Sequence, residues 1–212
     1  MFLRILLLAA LLAATPARAQ QQPVILVFGD SLAAGYGLPQ GRGWVDLLQA
    51  RLERDGYVYK VVNASISGET SLGGRNRLPA ALARHRPRIV VIELGANDGL
   101  RGQPIAALRD NLVAMIRASA RAGARSLLIG MRIPPNYGQA YTRQFESVFA
   151  EVARAQRVPL IPFLLDGFAD QRELFQQDGI HPAEQAQGLI LATVWSALEP
   201  LLRVRAKPGS PA

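Results

Sequence analysis

A serine, a glycine, an asparagine and an Asp-x-x-His pair stand in four short polar clusters of this chain. The clusters are Gly29-Asp30-Ser31-Leu32, Asn63-Ala64-Ser65-Ile66-Ser67-Gly68, Gly95-Ala96-Asn97-Asp98 and Asp178-Gly179-Ile180-His181-Pro182. A serine hydroxyl is a weak nucleophile until a neighbouring base takes its proton. His181 is the plausible base, because the other histidine, His85, lies between Arg84 and Arg86 at an expected helix end. Asp178 stands three residues before His181, so one loop can offer a carboxylate to Nδ1–H and leave Nε2 for the serine. The backbone N–H groups of Ser31 and Gly68 and the side-chain amide of Asn97 are candidate donors to the negative oxygen that develops in acyl transfer. Each residue also has an ordinary role: Ser31 as a helix cap, Gly68 and Asn97 as turn residues, Asp178 or His181 as a cap at a helix entry. Their joint occurrence is what points to Ser31, His181 and Asp178 as nucleophile, base and orienting acid.

Three of the clusters directly follow strand-like runs at residues 24–28, 57–62 and 88–94, and the fourth follows a run at 158–163. Apolar runs this short and this continuous are typical of strands buried on both faces. Between them lie helical patterns. Residues 44–55 place Trp44, Leu47, Leu48 and Leu52 on one face and stop at Gly56; residues 71–85 form a second helix, with Pro79 expected to kink or restart it. A third helix begins at Pro104, ends before Gly123 and carries the stripe Ile105, Leu108, Leu112, Met115 and Ile116. A strand at 126–131, a helix at 141–155, a fifth strand near 159–163 and a last helix at 182–203 follow, the last with Ile190, Val194, Ala197 and Leu201 inward. Strands alternating with helices imply an α/β fold: a three-layer α/β/α sandwich around a five-stranded parallel sheet of flavodoxin-like layout. Loops leaving the carboxyl ends of such strands converge on one edge, where ligands bind. Phosphate-binding marks are missing, since no GxxxxGK[ST] occurs and no GxGxxG opens a helix after a strand. The lipase elbow GxSxG is also absent.

Composition narrows the chemistry further. The chain has 212 residues, 50% of them hydrophobic, which suits one domain with a substantial core. It has no cysteine, so disulfides, a thiol nucleophile and cysteine-ligated zinc are excluded. With two histidines and no HExxH, a histidine-rich metal site is excluded too, and neither metal nor organic cofactor is expected. The net charge of +8 comes from scattered arginines, with Lys60 and Lys207 the only lysines, and no basic run interleaves with aromatics. Solvated helix faces account for that pattern, and nucleic acid is not an expected partner.

The N-terminus has the build of an export signal: Arg4, an unbroken apolar run at 5–14, and Ala17-Arg18-Ala19 as an A-x-A cleavage site. The run is shorter than the ~20 residues a membrane span requires, so a cleavable signal is expected and a stable anchor is not. The expected organisation is a signal peptide at 1–19, a single domain at 20–205 and a disordered tail at 206–212. Cleavage after Ala19 would place a monomeric protein in the periplasm or the medium.

Taken together, the blocks Gly-Asp-Ser-Leu-x-x-Gly-Tyr from Gly29, Val-Val-Asn-Ala-Ser-Ile-Ser-Gly-Glu-Thr-Ser from Val61, Glu-Leu-Gly-Ala-Asn-Asp-Gly-Leu-Arg-Gly from Glu93 and Gln-Asp-Gly-Ile-His-Pro from Gln177 closely resemble the SGNH hydrolases, also called GDSL esterases. The resemblance is nearest to the bacterial multifunctional thioesterase, protease and lysophospholipase group and related arylesterases, and it spans the chain from the first strand to the last helix. It implies Ser31 as nucleophile, Ser31, Gly68 and Asn97 as oxyanion donors, Asp178 and His181 as the base pair, and the same three-layer fold. The expected substrates are small acyl or aryl esters, with lysophospholipids and acyl thioesters as further candidates. An exported enzyme would rarely meet cytosolic acyl-CoA. A glycan O-deacetylase of the same architecture and a binding module without turnover are the alternatives. Leu100, Ile133, Pro134 and Tyr137 leave the sheet at the catalytic edge and are candidates to line an acyl groove, unless Ile133 and Tyr137 merely pack against the neighbouring helix. Asp30 and Glu93 have no assigned role; Glu93 interrupts an apolar strand and, if buried, needs a partner, for which Arg132 is a candidate.

Overall fold

The computed structural model describes residues 22–202, so the expected signal peptide and the expected tail lie outside the described residues. Five strands form one parallel sheet: β1 (Val24–Gly29), β2 (Lys60–Asn63), β3 (Ile89–Glu93), β4 (Arg125–Ile129) and β5 (Leu160–Ile161), in the order β2-β1-β3-β4-β5. Seven α-helices accompany them: α1 (Ser31–Ala34), α2 (Trp44–Arg54), α3 (Ser71–His85), α4 (Ala96–Leu100), α5 (Ile105–Arg121), α6 (Gln139–Gln156) and α7 (Gln187–Leu202). Helices α3, α5 and α6 pack side by side on one face of the sheet, and α2 and α7 on the other. This is the α/β/α sandwich and the flavodoxin-like strand order expected from the periodicity. Because both faces are covered, Ile25 to Phe28 and Ile89 to Ile92 are all fully buried, which is why these strands read as continuous apolar runs.

Departures from the expected boundaries have local causes. Strand β2 starts at Lys60 rather than residue 57, because Gly56 (φ 76°) closes α2 and the Tyr57 N–H is spent on the Leu52 carbonyl at 2.8 Å. Strand β5 shrinks to two residues because it lies at the sheet edge between Pro159 and Pro162, which have no N–H to donate. Pro79 does not interrupt α3; it sits on the exposed side of a continuous helix capped by Thr70. The last α-helix begins at Gln187, after a 3₁₀ turn at Glu184–Ala186, rather than at Pro182. Its inward face is also rotated from the expected one: Ile190, Val194, Trp195, Leu198 and Leu202 are buried, whereas Ala197 and Leu201 are half-buried.

The order of the sheet places β1 where successive connections leave in opposite directions, to β2 on one side and β3 on the other. Such a switch point opens a crevice beyond the carboxyl ends of the strands. The polar clusters at Ser31, Gly68 and Asn97 leave β1, β2 and β3 at that end.

Candidate active site

Ser31 is the first residue of α1. Asp30 caps that helix, its Oδ1 accepting the Leu32 N–H at 3.0 Å, and Gly35 ends it in the left-handed conformation. The Ser31 N–H therefore lies in the first turn, where a helix has no internal acceptor for its N–H groups. Trp44 holds the segment from below: its side chain is fully buried and its Nε1–H donates to the Leu32 carbonyl at 3.0 Å.

The chain brings Ser31, His181 and Asp178 into one hydrogen-bonded line. Ser31 Oγ is 2.9 Å from His181 Nε2, and His181 Nδ1 is 2.7 Å from Asp178 Oδ2. The other carboxylate oxygen of Asp178 accepts the N–H groups of Ile180 (2.9 Å) and His181 (3.0 Å), which fixes the acid relative to the imidazole within a four-residue turn. Desolvation works to raise the Asp178 pKa, but the His181 and Ile180 N–H groups and the imidazole outweigh it and lower it to about 2. Asp178 is thus an anion through the neutral range, poised to stabilise a positive imidazolium.

Contacts within the loop and across to α1 and α2 hold it in place. Phe175 and Pro182 form an antiparallel bridge, and the Gln176 N–H donates to the His181 carbonyl at 2.8 Å. Gln176 Nε2 donates to the carbonyls of Tyr36 (2.8 Å) and Pro182 (3.2 Å), tying the loop to the exit of α1. Gln187, 2% exposed, accepts the Trp44 N–H and donates to the carbonyls of Pro182 and Ala183. The Tyr36 ring lies over the His181 ring with centroids 4.5 Å apart and an interplanar angle of 39°.

The candidate oxyanion donors are also tied to one another. Asn97 lies in the short helix α4 and its Nδ2 donates one hydrogen to Asp30 Oδ2 at 3.2 Å, beside Ser31. Gly68 has φ 78°, a conformation that favours glycine, and its carbonyl accepts from Arg101 at 3.0 Å. Among the described residues no acceptor takes the Gly68 N–H. A buried cluster joins the two loops: Ser71 donates through N and Oγ to Asp98 (2.8 and 2.5 Å), and Asn111 donates to Ser71 Oγ at 2.9 Å.

One expectation needs correction. Arg132 does not partner Glu93; it pairs with Glu146 at 2.8 Å and lies over the Phe163 ring. Glu93 is fully buried, and its Oε2 accepts the Asp30 N–H at 3.2 Å. Ile133 is 6% exposed and belongs to the core, where its side chain and Phe145 of α6 close around Gly99. Pro134 is exposed, Leu100 is half-buried, and the Tyr137 hydroxyl donates to the Leu100 carbonyl at 3.1 Å, which joins the loop after β4 to the end of α4.

The hollow touching Ser31, Tyr36 and His181 is too small to admit a water molecule. A cavity of about 210 Å³ lies apart from it, between β5 and α7 and lined by Arg132, Phe163 and Thr193 among others. It is around Ser31, not at that cavity, that a hydroxyl, an imidazole and a carboxylate meet. Among the described residues no group of three or more His, Cys, Asp or Glu is placed to hold a metal ion.

The GDSL-like lipase/acylhydrolase family model matches residues 27–189, which includes all four polar clusters. The chain belongs to this family. Esterase TesA of Pseudomonas aeruginosa is 51% identical over 178 residues, covering 84% of this chain and 89% of that protein. Thioesterase 1/protease 1/lysophospholipase L1 of Escherichia coli is 39% identical over 185 residues, covering 87% and 88%. The crystal structure of the psychrotrophic esterase EstA from Pseudoalteromonas, inhibited by monoethylphosphonate, superposes with a TM-score of 0.81 at 41% identity, covering 84% of this chain and 98% of that one. These likenesses extend over the whole GDSL domain and not only its motifs.

Sequence reasoning missed Tyr36, Gln176, Gln187, Ser71 and Asp98 as parts of the site. Tyr36 carried a weak signal, as the last residue of the Gly-Asp-Ser-Leu-x-x-Gly-Tyr block. Asp98 stood beside Asn97 but reads as a second turn residue, because its partner Ser71 is 27 positions away.

Proposed function

We propose that this GDSL-family protein is an exported carboxylic ester hydrolase that works through an acyl-enzyme on Ser31. The observation that carries the proposal is the unbroken hydrogen-bonded line Ser31 Oγ to His181 Nε2 and His181 Nδ1 to Asp178 Oδ2. His181 takes the Ser31 proton as Oγ bonds to the acyl carbon, and the carbonyl oxygen becomes an anion. The Ser31 and Gly68 N–H groups and the Asn97 amide receive that anion. Collapse breaks the bond to the leaving oxygen or sulfur, which departs with the proton from His181. Water then attacks the acyl-enzyme, giving its proton to His181, and Ser31 is released with the carboxylic acid. The steps use this chain's own side chains and backbone.

The names of the relatives support small acyl and aryl esters as substrates, with thioesters and lysophospholipids as further ones. The half-buried Leu100 beside Tyr137 suits a substrate lying along the surface, its acyl part toward α4. Residues 1–19 act as a signal cleaved after Ala19, and residues 20–205 form the working domain in the periplasm or the medium. The test is a series of p-nitrophenyl esters of rising acyl length, run beside an acyl thioester and a lysophospholipid, with Ser31→Ala as the blank. Turnover of the esters by the unaltered chain alone supports the proposal. No turnover of any ester by folded protein refutes it.

A further inference from the structure

Beneath the nucleophile lie two carboxyl groups that the acyl-transfer steps do not use. Asp30 is 1% exposed and Glu93 is fully buried. We propose that they form a positioning chain for the oxyanion hole, in which neutral Glu93 seats the Asp30 backbone and the Asp30 carboxylate aims the Asn97 amide. This rests on the assignment of Asn97 as an oxyanion donor.

The geometry runs in one direction. Glu93 Oε2 accepts the Asp30 N–H at 3.2 Å. Its carboxyl also presses on the bare Cα of Gly29: a Cβ there would stand 2.4 Å from Oε2, so the glycine of the Gly-Asp-Ser-Leu block makes room for this acid. Asp30 then divides its two oxygens, Oδ1 to the Leu32 N–H at 3.0 Å and Oδ2 to Asn97 Nδ2 at 3.2 Å. An ionised carboxylate only accepts, so it admits only the NH₂ end of the Asn97 amide. The remaining Nδ2 hydrogen stays free for an oxyanion. A neutral group at position 30 would let the amide turn and present its carbonyl oxygen to that anion, reversing stabilisation into repulsion.

Two adjacent buried carboxyls do not both ionise. Asp30 faces Glu93 from β3, His181 from the loop before α7 and Asp98 from α4, and it is the member that the Leu32 N–H, His181 and Asn97 favour as an anion. Glu93 is fully buried and faces the Asp30 carboxyl, and these two effects keep it protonated against the Asp30 and Ala33 N–H groups that favour its charge. Burial lifts Asp30 to about 6, which leaves it charged at neutral pH and neutral in mild acid.

The experiment measures kcat, KM, melting and pH profiles on a p-nitrophenyl ester for the unaltered chain, Asp30→Asn, Asn97→Ala, their double variant, Glu93→Gln and Glu93→Ala. Asp30→Asn should lower kcat about ten- to hundredfold with KM within about threefold, up to the loss seen when a whole oxyanion donor is removed. In the Asn97→Ala background the same change should cost less than about threefold, because the group through which Asp30 acts is gone. The acid limb of kcat should lose one proton of slope in Asp30→Asn. Glu93→Gln, which mimics the neutral acid, should keep about tenfold more kcat than Glu93→Ala. If Asp30→Asn does not fold, Asp30→Ser supplies the same reading, since serine still caps α1 but is too short to reach Asn97. Additive losses in the double variant, or an acid limb unchanged by the substitution at position 30, would overturn the proposal. An unaltered chain that hydrolyses no ester would instead refute the esterase reading itself.

Discussion

Replacing Asp178 by asparagine tests the orienting role of the acid with little change in shape. In the structure Oδ1 accepts two backbone N–H groups at 2.9 and 3.0 Å, and Oδ2 accepts His181 Nδ1–H at 2.7 Å. An asparagine that keeps the two backbone bonds must turn its NH₂ toward Nδ1. Nδ1 then becomes an acceptor, the imidazole proton moves to Nε2, and the nitrogen facing Ser31 Oγ can no longer take a proton. In serine hydrolases with this arrangement, that inversion costs about 10⁴ in kcat, or about 5.5 kcal/mol. Asp178 and His181 have side-chain exposures of 37% and 19%, so water reaches both and can restore part of the correct tautomer. The expected loss is therefore about 10³ to 10⁴ in kcat, with KM changed much less. Melting should fall by only a few degrees, because a charge-assisted hydrogen bond to Nδ1 is exchanged for a neutral one, at a cost of about 1 kcal/mol, while the two that shape the turn remain. Steady-state hydrolysis of a p-nitrophenyl ester near neutral pH, read beside a melting curve, is the assay. A folded Asp178→Asn variant with kcat within about tenfold of the unaltered chain would refute the reasoning.

Three further outcomes follow from other parts of the structure. Tyr36→Ala should lower kcat about three- to tenfold by releasing the His181 ring, an aromatic contact worth about 0.5–1.5 kcal/mol, and Tyr36→Phe should restore it; equal rates in all three proteins would contradict the contact's role. Burial raises the folded Glu93 pKa well above its ordinary value, so the stability this acid contributes is complete below that value and is lost as pH rises toward the folded one. The melting temperature of Glu93→Gln minus that of the unaltered chain should accordingly climb as pH rises above the ordinary glutamate range, and a flat difference would show that Glu93 titrates as it does in the unfolded chain. N-terminal sequencing of the exported fraction should begin at Gln20, whereas an intact Met1 confined to the cytosol would exclude the signal.

The sheet and the polar clusters at its edge were legible because both are written locally. A strand covered on both faces must be apolar throughout, so Ile25 to Phe28 and Ile89 to Ile92 announced themselves, and the polar residues that follow marked the carboxyl ends. The Asp178–His181 turn was legible for the same reason, since its hydrogen bonds join residues two and three apart. What could not be read depends on elements that meet only in the fold. Tyr36 is aligned over His181 by Gln176, which is 140 positions away in the chain. Glu93 is an acid in an apolar strand whose partner is a backbone N–H 63 positions earlier, not a cation. The phase of α7 was misjudged because its sequence is apolar on more than one face, so periodicity alone did not choose between Ala197 and Leu198.

The central claim is that Ser31 becomes covalently acylated. Incubation with a fluorophosphonate, which phosphonylates a hydroxyl only when its base is in place, followed by peptide mass mapping, tests it most directly. The account predicts a single adduct on Ser31, formed in step with the loss of esterase activity and absent from folded Ser31→Ala and His181→Ala variants. An active enzyme that carries no adduct on Ser31, or a Ser31→Ala variant that still hydrolyses esters at the original rate, would contradict it.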